Sequence, residues 1–403
     1  MSTHLPPELW RLIFREATHV PDLLSTNWDH SPPDRLWDGW RCDVGSFEMS
    51  TRRSVVQVCR AWRDIGREYL FEAVHIPNLA SETFNQVLKV VEVLTTSASN
   101  ARLDRGHSLG HGWWVKRVSC PSSILASVHV EQLFLLLEHC HNLQIFIIRP
   151  IGDLDVPLWV HSRLTLLLES RFSHSLRRIE LYSNWQARNA NAGTTSPLPL
   201  ISGVTSFGTV IRNYTPDIAY DHLFHDITTL TMDLPAYIDK IPSQWNFPAL
   251  RNLGLQRVSK RDINALVEFI KRHQNTLLHL QIVTSTGTNA LLPSLLSSAP
   301  QLHSLTLRDS NLGSMGRNTA LPQLTHLGII CNDKGNAWEL ETGIGDILDG
   351  GLLPSLQVVR LLSLEAPLPH HIGWEDLSEA CKDHGVRLED RRGRALLSRD
   401  SKW

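Results

Sequence analysis

The sequence has little of what marks a membrane, secreted or nucleic-acid-binding protein. Its 403 residues carry 39 basic and 41 acidic side chains, so the net charge of −2 gives no electrostatic attraction to nucleic acid or anionic lipid. No apolar run reaches the roughly 18 residues that a transmembrane helix needs. The first four residues lack the basic segment of a secretory signal. The six cysteines are scattered, which is typical of reduced thiols in a cytoplasmic or nuclear protein.

Motifs for catalysis or metal binding are scarce, since no H-E-x-x-H or P-loop pattern occurs and the one G-x-S-x-G match, at residues 106–110, lies in a predicted loop of glycine, histidine and arginine. His139-Cys140-His141 is the densest cluster, but on a helix its side chains point in different directions and cannot close one tetrahedral site. Cys381 and His384 share a helix face without two further ligands, and Cys59 is interpreted as a buried thiol. We therefore predict a protein that is not an enzyme and has no cofactor or metal. An enzyme on a degenerate α/β fold remains a weak alternative.

What the chain does contain is a recurring segment of the form L-x-x-L-x-L, each followed by a turn and an apolar helix. The middle apolar residues Leu230, Leu253, Leu280, Leu305 and Leu327 follow one another at steps of 23, 27, 25 and 22 positions. This is the length of one leucine-rich repeat. The segments are Leu143–Ile148, Leu176–Leu181, Ile227–Met232, Leu250–Leu255, Leu277–Ile282, Leu302–Leu307, Leu324–Ile329 and Leu356–Leu361. A longer step after the second segment predicts one degenerate repeat near Ser202–Tyr214.

The repeats predict a parallel sheet whose leucines point inward, while the residues between them point outward. The outward side chains are mixed and mostly neutral, so they indicate no charge for a partner. Eleven positions are predicted to be exposed on this face. They are Arg178 and Glu180, together with the nine we predict to contact a protein target: Thr229, Thr231, Asn252, Gln256, His279, Gln281, Ser304, Thr306 and Arg308.

Two short apolar segments precede the repeats. Leu5-Pro6-Pro7-Glu8-Leu9 begins a helix, because proline suits the first helical turn and an acid there complements the helix dipole. A second helix is predicted across residues 55–65, where apolar residues recur at three- and four-residue steps. Both helices are too short to be stable alone, so they must pack on each other, on a following turn or on a partner.

These two segments resemble the F-box, a three-helix module that binds the Skp1 adaptor of cullin-type ubiquitin ligases. The resemblance covers residues 5–75 and departs from the family at about 18–50. This stretch is interpreted as an inserted, partly packed loop containing Trp28, Trp37 and Trp40. By resemblance, the residues that would bind Skp1 are Leu5, Pro6, Pro7, Leu9, Ile13, Phe14, Val58, Cys59 and Trp62.

The expected fold is therefore α/β: an F-box-like helical module over residues 1–75, a curved solenoid of irregular leucine-rich repeats over 76–390, and a charged, frayed tail over 391–403. The resemblance implies a substrate receptor that binds a Skp1-like adaptor, through it a cullin, and an unknown protein target. The main alternative is a leucine-rich-repeat scaffold with no role in ubiquitination, whose first helices form the cap of the solenoid.

Overall fold

The structure is a computed structural model of the whole chain. It describes residues 5–19, 24, 26, 44–76, 81–103, 110–125, 127, 129–149, 156–181, 204–210, 224–234, 245–258, 263–284, 292–315, 321–331, 337–362, 374–390 and 393–396. The chain divides into two compact units, the first ending at Val210 and the second containing the described residues from Phe224 onward.

Three helices begin the first unit: α1 (Pro7–Ala17), α2 (Val44–Gln57) and α3 (Arg60–Phe71). As predicted, α1 starts at the Pro6-Pro7 pair, with Glu8 in its first turn. The predicted loop over 18–50 is wrong at its end, because α2 already begins at Val44. The tryptophans of the insertion lie outside the described residues, whereas the carbonyl oxygen of Thr26 accepts a hydrogen bond from the Thr205 hydroxyl at 3.1 Å.

The single helix predicted across residues 55–65 is also wrong, because the chain breaks into α2 and α3 at Val58 and Cys59. Cys59 has an extended backbone, with φ −159° and ψ 173°. Its sulfur accepts a hydrogen bond from the Trp62 amide at 3.5 Å, so Cys59 acts as the N-cap of α3. The periodic apolar pattern does not reveal this break, because two helices that share one core can carry the same spacing.

Twelve strands are present in the described residues. They are β1 (Ala73–His75), β2 (Arg117–Pro121), β3 (Ile145–Arg149), β4 (Arg178–Leu181), β5 (Ser206–Val210), β6 (Thr229–Asp233), β7 (Asn252–Val258), β8 (His279–Thr284), β9 (Ser304–Arg308), β10 (His326–Ile330), β11 (Val358–Leu361) and β12 (Arg387–Glu389). In the first unit β1 to β5 pair in chain order, and in the second unit β6 to β12 do the same, all in parallel. The predicted parallel repeats are confirmed, and β5 is the degenerate repeat expected near residues 202–214.

The leucines of successive repeats are aligned, which is what the L-x-x-L-x-L pattern predicts. In the second unit Leu253 pairs in register with Leu230 on one side and with Leu280 on the other. The same row continues through Leu305 and Leu327. All five are at most 2% exposed, so this row forms a continuous inner core.

Helices connect the strands and cover the leucine side of the repeats. In the first unit these are α4 (Ser81–Leu103), α5 (Val130–His139) and α6 (Leu158–Phe172); in the second they are α7 (Ile263–Arg272), α8 (Leu292–Ser297), α9 (Ala337–Asp349) and α10 (Trp374–Asp383). Gly385, with φ +69°, ends α10 in the left-handed conformation predicted for this cap. The predicted fraying of the tail is wrong for residues 393–396, because Ala395 forms an antiparallel bridge with Glu389.

Candidate functional site

Helix α1 has two apolar faces, and the inner one builds a small core with α2 and α3. Phe14 is 1% exposed, and its ring centroid lies 4.9 Å from that of Trp62. Trp10 lies 4.7 Å from Trp62 by the same measure, so three rings pack together. Val55 of α2 and Tyr69 of α3 complete this core. The inner face of α1 is therefore buried against α2 and α3 of the same chain.

Polar contacts fix the three helices in place around this core. The Tyr69 hydroxyl donates to the carbonyl oxygen of Arg11 at 2.9 Å. Arg52 of α2 is buried, and its guanidinium donates to the carbonyl oxygens of Tyr69 at 2.7 Å and Thr18 at 3.2 Å. It also lies 3.5 Å from the Glu72 carboxylate. Arg52 thus joins the C-terminal ends of α1 and α3, a role that the sequence pattern did not indicate.

The outer face of α1 is apolar and uncovered. Leu5, Leu9, Leu12 and Ile13 follow at helical spacing and are 41%, 43%, 51% and 44% exposed, respectively. Val58, at the junction of α2 and α3, is 60% exposed. We call these five residues the N-terminal apolar face. They make up five of the eleven large exposed hydrophobic side chains in the described residues, so the exposure is concentrated in this module.

The structure places the other residues of the predicted Skp1 site around this face. Pro6 and Pro7 are exposed at the start of α1, whereas Phe14 belongs to the inner core. Trp62 is half-buried between the two faces. Cys59 is exposed, which corrects the interpretation of this residue as a buried thiol. Because Cys59 caps the helix that carries Trp62, the junction lies next to α1.

Two features of this surface were missed from the sequence. Leu12 is more exposed than Leu9 or Ile13 but was not selected, although its spacing of seven residues from Leu5 would have indicated the same face. The second feature is charge: Arg60 and Arg63 are both exposed beside the junction. Asp64 is exposed next to Arg63, so the border of this face carries charges of both signs.

The predicted target-binding residues lie on the opposite side of the strands from the leucine core, as expected. Their predicted exposure, however, is wrong for most of them: Thr229, Thr231, Asn252, Gln256, Gln281, Ser304 and Thr306, as well as Arg178 and Glu180, are all at most 6% exposed. His279 and Arg308 are half-buried. Short side chains on strands about 4.8 Å apart shield one another, as the 2.9 Å bond from the Asn252 amide to the Thr229 hydroxyl illustrates.

Charged groups on this sheet face are mostly paired with each other. Arg178 Nε donates to Glu180 Oε1 at 2.5 Å within β4. In the second unit Arg360 Nη2 donates to Glu389 Oε2 at 2.6 Å. Buried guanidinium groups need such partners, because an isolated charge on a buried surface is costly. These pairs neutralise the face locally without giving it one sign.

One contact on the first unit bears on the enzyme alternative. The Ser119 hydroxyl lies 3.0 Å from Nδ1 of His75, whereas serine hydrolases pair the serine with Nε2 and a carboxylate with Nδ1. Here Arg149 also contacts the imidazole, where a hydrolase would have a carboxylate. Burial, reinforced by Arg149 and Arg117, lowers the pKa of His75 to about 4. Since Ser119 is also only 2% exposed, this pair is poorly placed for a nucleophile and base.

The histidine clusters also have structural partners. His139 Nε2 lies 3.1 Å from the Thr95 hydroxyl, and Cys140 is fully buried with its thiol on the carbonyl oxygen of Leu136. His384 Nε2 lies 3.1 Å from an oxygen of Asp349. Within the described ranges, no group of three histidine, cysteine or acidic side chains is arranged to hold a metal ion.

Comparison with known proteins finds matches among solved structures only. No protein-family model and no curated protein matches the chain. Among solved structures, it is similar to the leucine-rich repeat-containing protein LegL7 from Legionella pneumophila, at 13% identity and a TM-score of 0.40. The match covers 78% of this chain and 97% of that chain.

Strand order and leucine register define the class of protein. Parallel strands in chain order, with aligned inner leucines and connecting helices, make an array of the leucine-rich-repeat type. The second feature of the chain is the helical module with its N-terminal apolar face. None of the described helices has the length and apolar character needed to cross a bilayer.

Proposed function

We propose that the chain is the target-receptor subunit of a Skp1–cullin–F-box ubiquitin ligase. The N-terminal apolar face binds a Skp1-like adaptor, and through it a cullin, while the repeats hold a protein target. The chain then acts by raising the effective concentration of the target near the transferring enzyme, without chemistry of its own.

The observation that carries this proposal is the division of α1 into two faces. Trp10 and Phe14 already supply the internal core, so Leu9, Leu12 and Ile13 are not needed for it. Large apolar side chains grouped on one surface are typical of protein interfaces. The resemblance to the F-box adds the identity of the partner, which the face alone does not specify.

Binding of purified Skp1 to the full chain tests the proposal directly. Leu9→Asp and Ile13→Asp should each weaken binding by at least a hundredfold, about 2.8 kcal/mol, because each places a charge in an apolar interface. Leu166→Asp is the matched control, since Leu166 is an exposed leucine on α6 of the repeats. Wild-type chain that does not bind Skp1, or Leu9→Asp that binds as well as the control, would refute the proposal.

A second measurement uses the exposed thiol beside this face. Skp1 should slow the alkylation of Cys59, which peptide mapping by mass spectrometry separates from the other cysteines. Cys120, whose burial raises its pKa to about 12, should stay unmodified with or without Skp1. Equal alkylation rates for Cys59 in both conditions would contradict docking at the junction.

The scaffold alternative has its own supporting observation. The carbonyl oxygen of Glu72, directly after α3, accepts hydrogen bonds from the amides of Lys116 and Arg117 at 2.9 and 3.1 Å. The helical module is thereby attached to the first repeats, as a cap would be. This alternative predicts that removing α1 to α3 unfolds the neighbouring repeats, and that Skp1 does not bind.

A further inference from the structure

Arg308, at the end of β9 on the sheet face of the second unit, is a cation without an anionic partner among the residues that the structure describes. Its side chain is half-buried, and its Nε is fully buried without a hydrogen bond. No described residue forms an ion pair with it, in contrast to Arg360, which is bonded to Glu389. A guanidinium that has lost part of its water and has no internal anion is suited to an external one.

The surroundings of Arg308 are apolar. Ile330 pairs in register with Arg308 on the next strand, and Val283 follows the Ile282–Leu307 pair on the preceding one. Val283 and Ile330 form a buried cluster with Leu362, separate from the leucine core. Apolar neighbours lower the local dielectric, so an anion that contacts Arg308 is held more strongly than it would be in open water.

A second unsatisfied group lies close to this cluster. Gln281 on β8 is 2% exposed, and its Oε1 has no hydrogen-bond donor. It lies two residues before Val283 on the same strand, roughly 7 Å along the sheet from the level of Arg308. Its Oε1 is covered, so Arg308 rather than Gln281 is the polar group that a bound chain can contact.

From this arrangement we infer that Arg308 anchors an anionic side chain, carboxylate or phosphoryl, of an extended segment in the protein target. The guanidinium donates two parallel hydrogen bonds to the anion, and the edge of the apolar cluster contacts a neighbouring apolar side chain of the segment. The groups spread over the four strands β8 to β11, about 14 Å, which fits an extended chain better than a small molecule. This inference rests on the proposal that the repeats hold a protein target.

Degenerate peptide libraries with one fixed central residue provide the test. The probes are fluorescent peptides of about ten residues, centred on aspartate, glutamate, phosphoserine, serine or lysine, and binding to the full chain is measured by anisotropy. Wild type should bind the aspartate and glutamate pools, or the phosphoserine pool, more tightly than the serine and lysine pools. Tighter binding of aspartate and glutamate would indicate carboxylate recognition, and tighter binding of phosphoserine would indicate phosphoryl recognition. Binding should weaken as salt is added.

Variants then assign the preference to this site. Arg308→Ala should weaken binding of the preferred pool at least tenfold, and Arg308→Lys should retain part of it, because lysine keeps the charge but loses the bidentate geometry. Arg171→Ala, an exposed arginine on α6, should bind as wild type does. Unfolding temperatures equal to that of wild type ensure that the folded chains are compared.

The outcomes separate this inference from the function on which it rests. Loss of Skp1 binding in Leu9→Asp, together with unchanged peptide binding in Arg308→Ala, would overturn the Arg308 site alone. Arg308-dependent binding of anionic peptides without any Skp1 binding would support the site in a scaffold protein. The absence of any preference for an anionic centre in wild type would overturn the inference directly.

Discussion

Ile13 and Phe14 are neighbours in sequence, and their substitution tests how α1 divides its two faces. Phe14 is 1% exposed and packs on Trp10 and Trp62, so Phe14→Ala should cost about 3–5 kcal/mol, as for other buried phenylalanines. Ile13 is 44% exposed, so Ile13→Ala leaves no cavity and should cost about 1 kcal/mol or less. Two adjacent truncations therefore differ in cost by at least about 2 kcal/mol.

Hydrogen exchange measured by mass spectrometry reads this difference locally, in peptides from α1 and α3. Since each 1.4 kcal/mol changes an equilibrium tenfold, Phe14→Ala should speed exchange of the protected amides of α1 by about a hundredfold or more. Ile13→Ala should change it less than about tenfold. Similar acceleration by both variants would mean that both faces of α1 are internal, and it would refute the reasoning for a docking surface.

Three further predictions concern the rest of the chain. Gly112→Ala should destabilise the chain by at least about 1–3 kcal/mol in thermal unfolding, because a Cβ would lie 2.0 Å from the carbonyl oxygen of His139. Gly345→Ala is the matched control: on α9 a Cβ would meet no other atom within 4 Å, so this change should stabilise the chain by about 0.5–1 kcal/mol. Burial, reinforced by Arg272, lowers the pKa of His273 to about 4. Between about pH 6.5 and pH 4 the unfolded chain therefore binds a proton at His273 that the folded chain does not, and the free energy of unfolding falls as the pH drops. Urea unfolding should show a slope of up to about 1.4 kcal/mol per pH unit from this residue. His273→Phe should reduce this slope, and an unchanged slope would count against the assignment. Glu389→Ala should lower the free energy of unfolding by about 3–5 kcal/mol, because it leaves Arg360 buried without its carboxylate. Replacing both residues by apolar ones should recover most of this loss. A double variant as unstable as Glu389→Ala would contradict this account.

The repeats could be predicted because their signal is periodic and involves only neighbouring parts of the chain. Leu230, Leu253 and Leu280 are buried in one row as the L-x-x-L-x-L spacing requires. Even the degenerate repeat at β5 was located, since the gap in the spacing demanded one more strand. Inner positions of a parallel sheet accept little except apolar side chains, so they can be recognised in a sequence.

The helical module shows where such reasoning fails. The spacing of apolar residues continues through Val58 and Cys59, yet the helix ends there because Cys59 is extended and caps α3. A break inside a periodic segment depends on backbone angles that hydrophobic spacing does not encode. Arg52 was missed for a related reason, because its partners are backbone carbonyls distant in sequence.

The outer sheet face was predicted correctly in direction and wrongly in exposure. Alternation places Thr306 and Gln281 opposite the leucine core, but it does not count the shielding by adjacent strands. Arg308 is the more informative residue there, since it stays half-buried while Thr306 and Gln281 are almost fully buried. Burial on a sheet depends on the neighbours across strands, which a single repeat does not contain.

Within the described part of each unit, a strand pairs only with the strand before it and the strand after it, and this has an evolutionary consequence. Within each unit, a duplicated or deleted repeat would alter one joint and leave every other hydrogen-bonded ladder as it was. A unit can therefore gain or lose a repeat, and with it the outer side chains of one strand, without altering the other repeats. Successive repeats can in this way diverge in number and in their outer side chains while α1 to α3 stay the same.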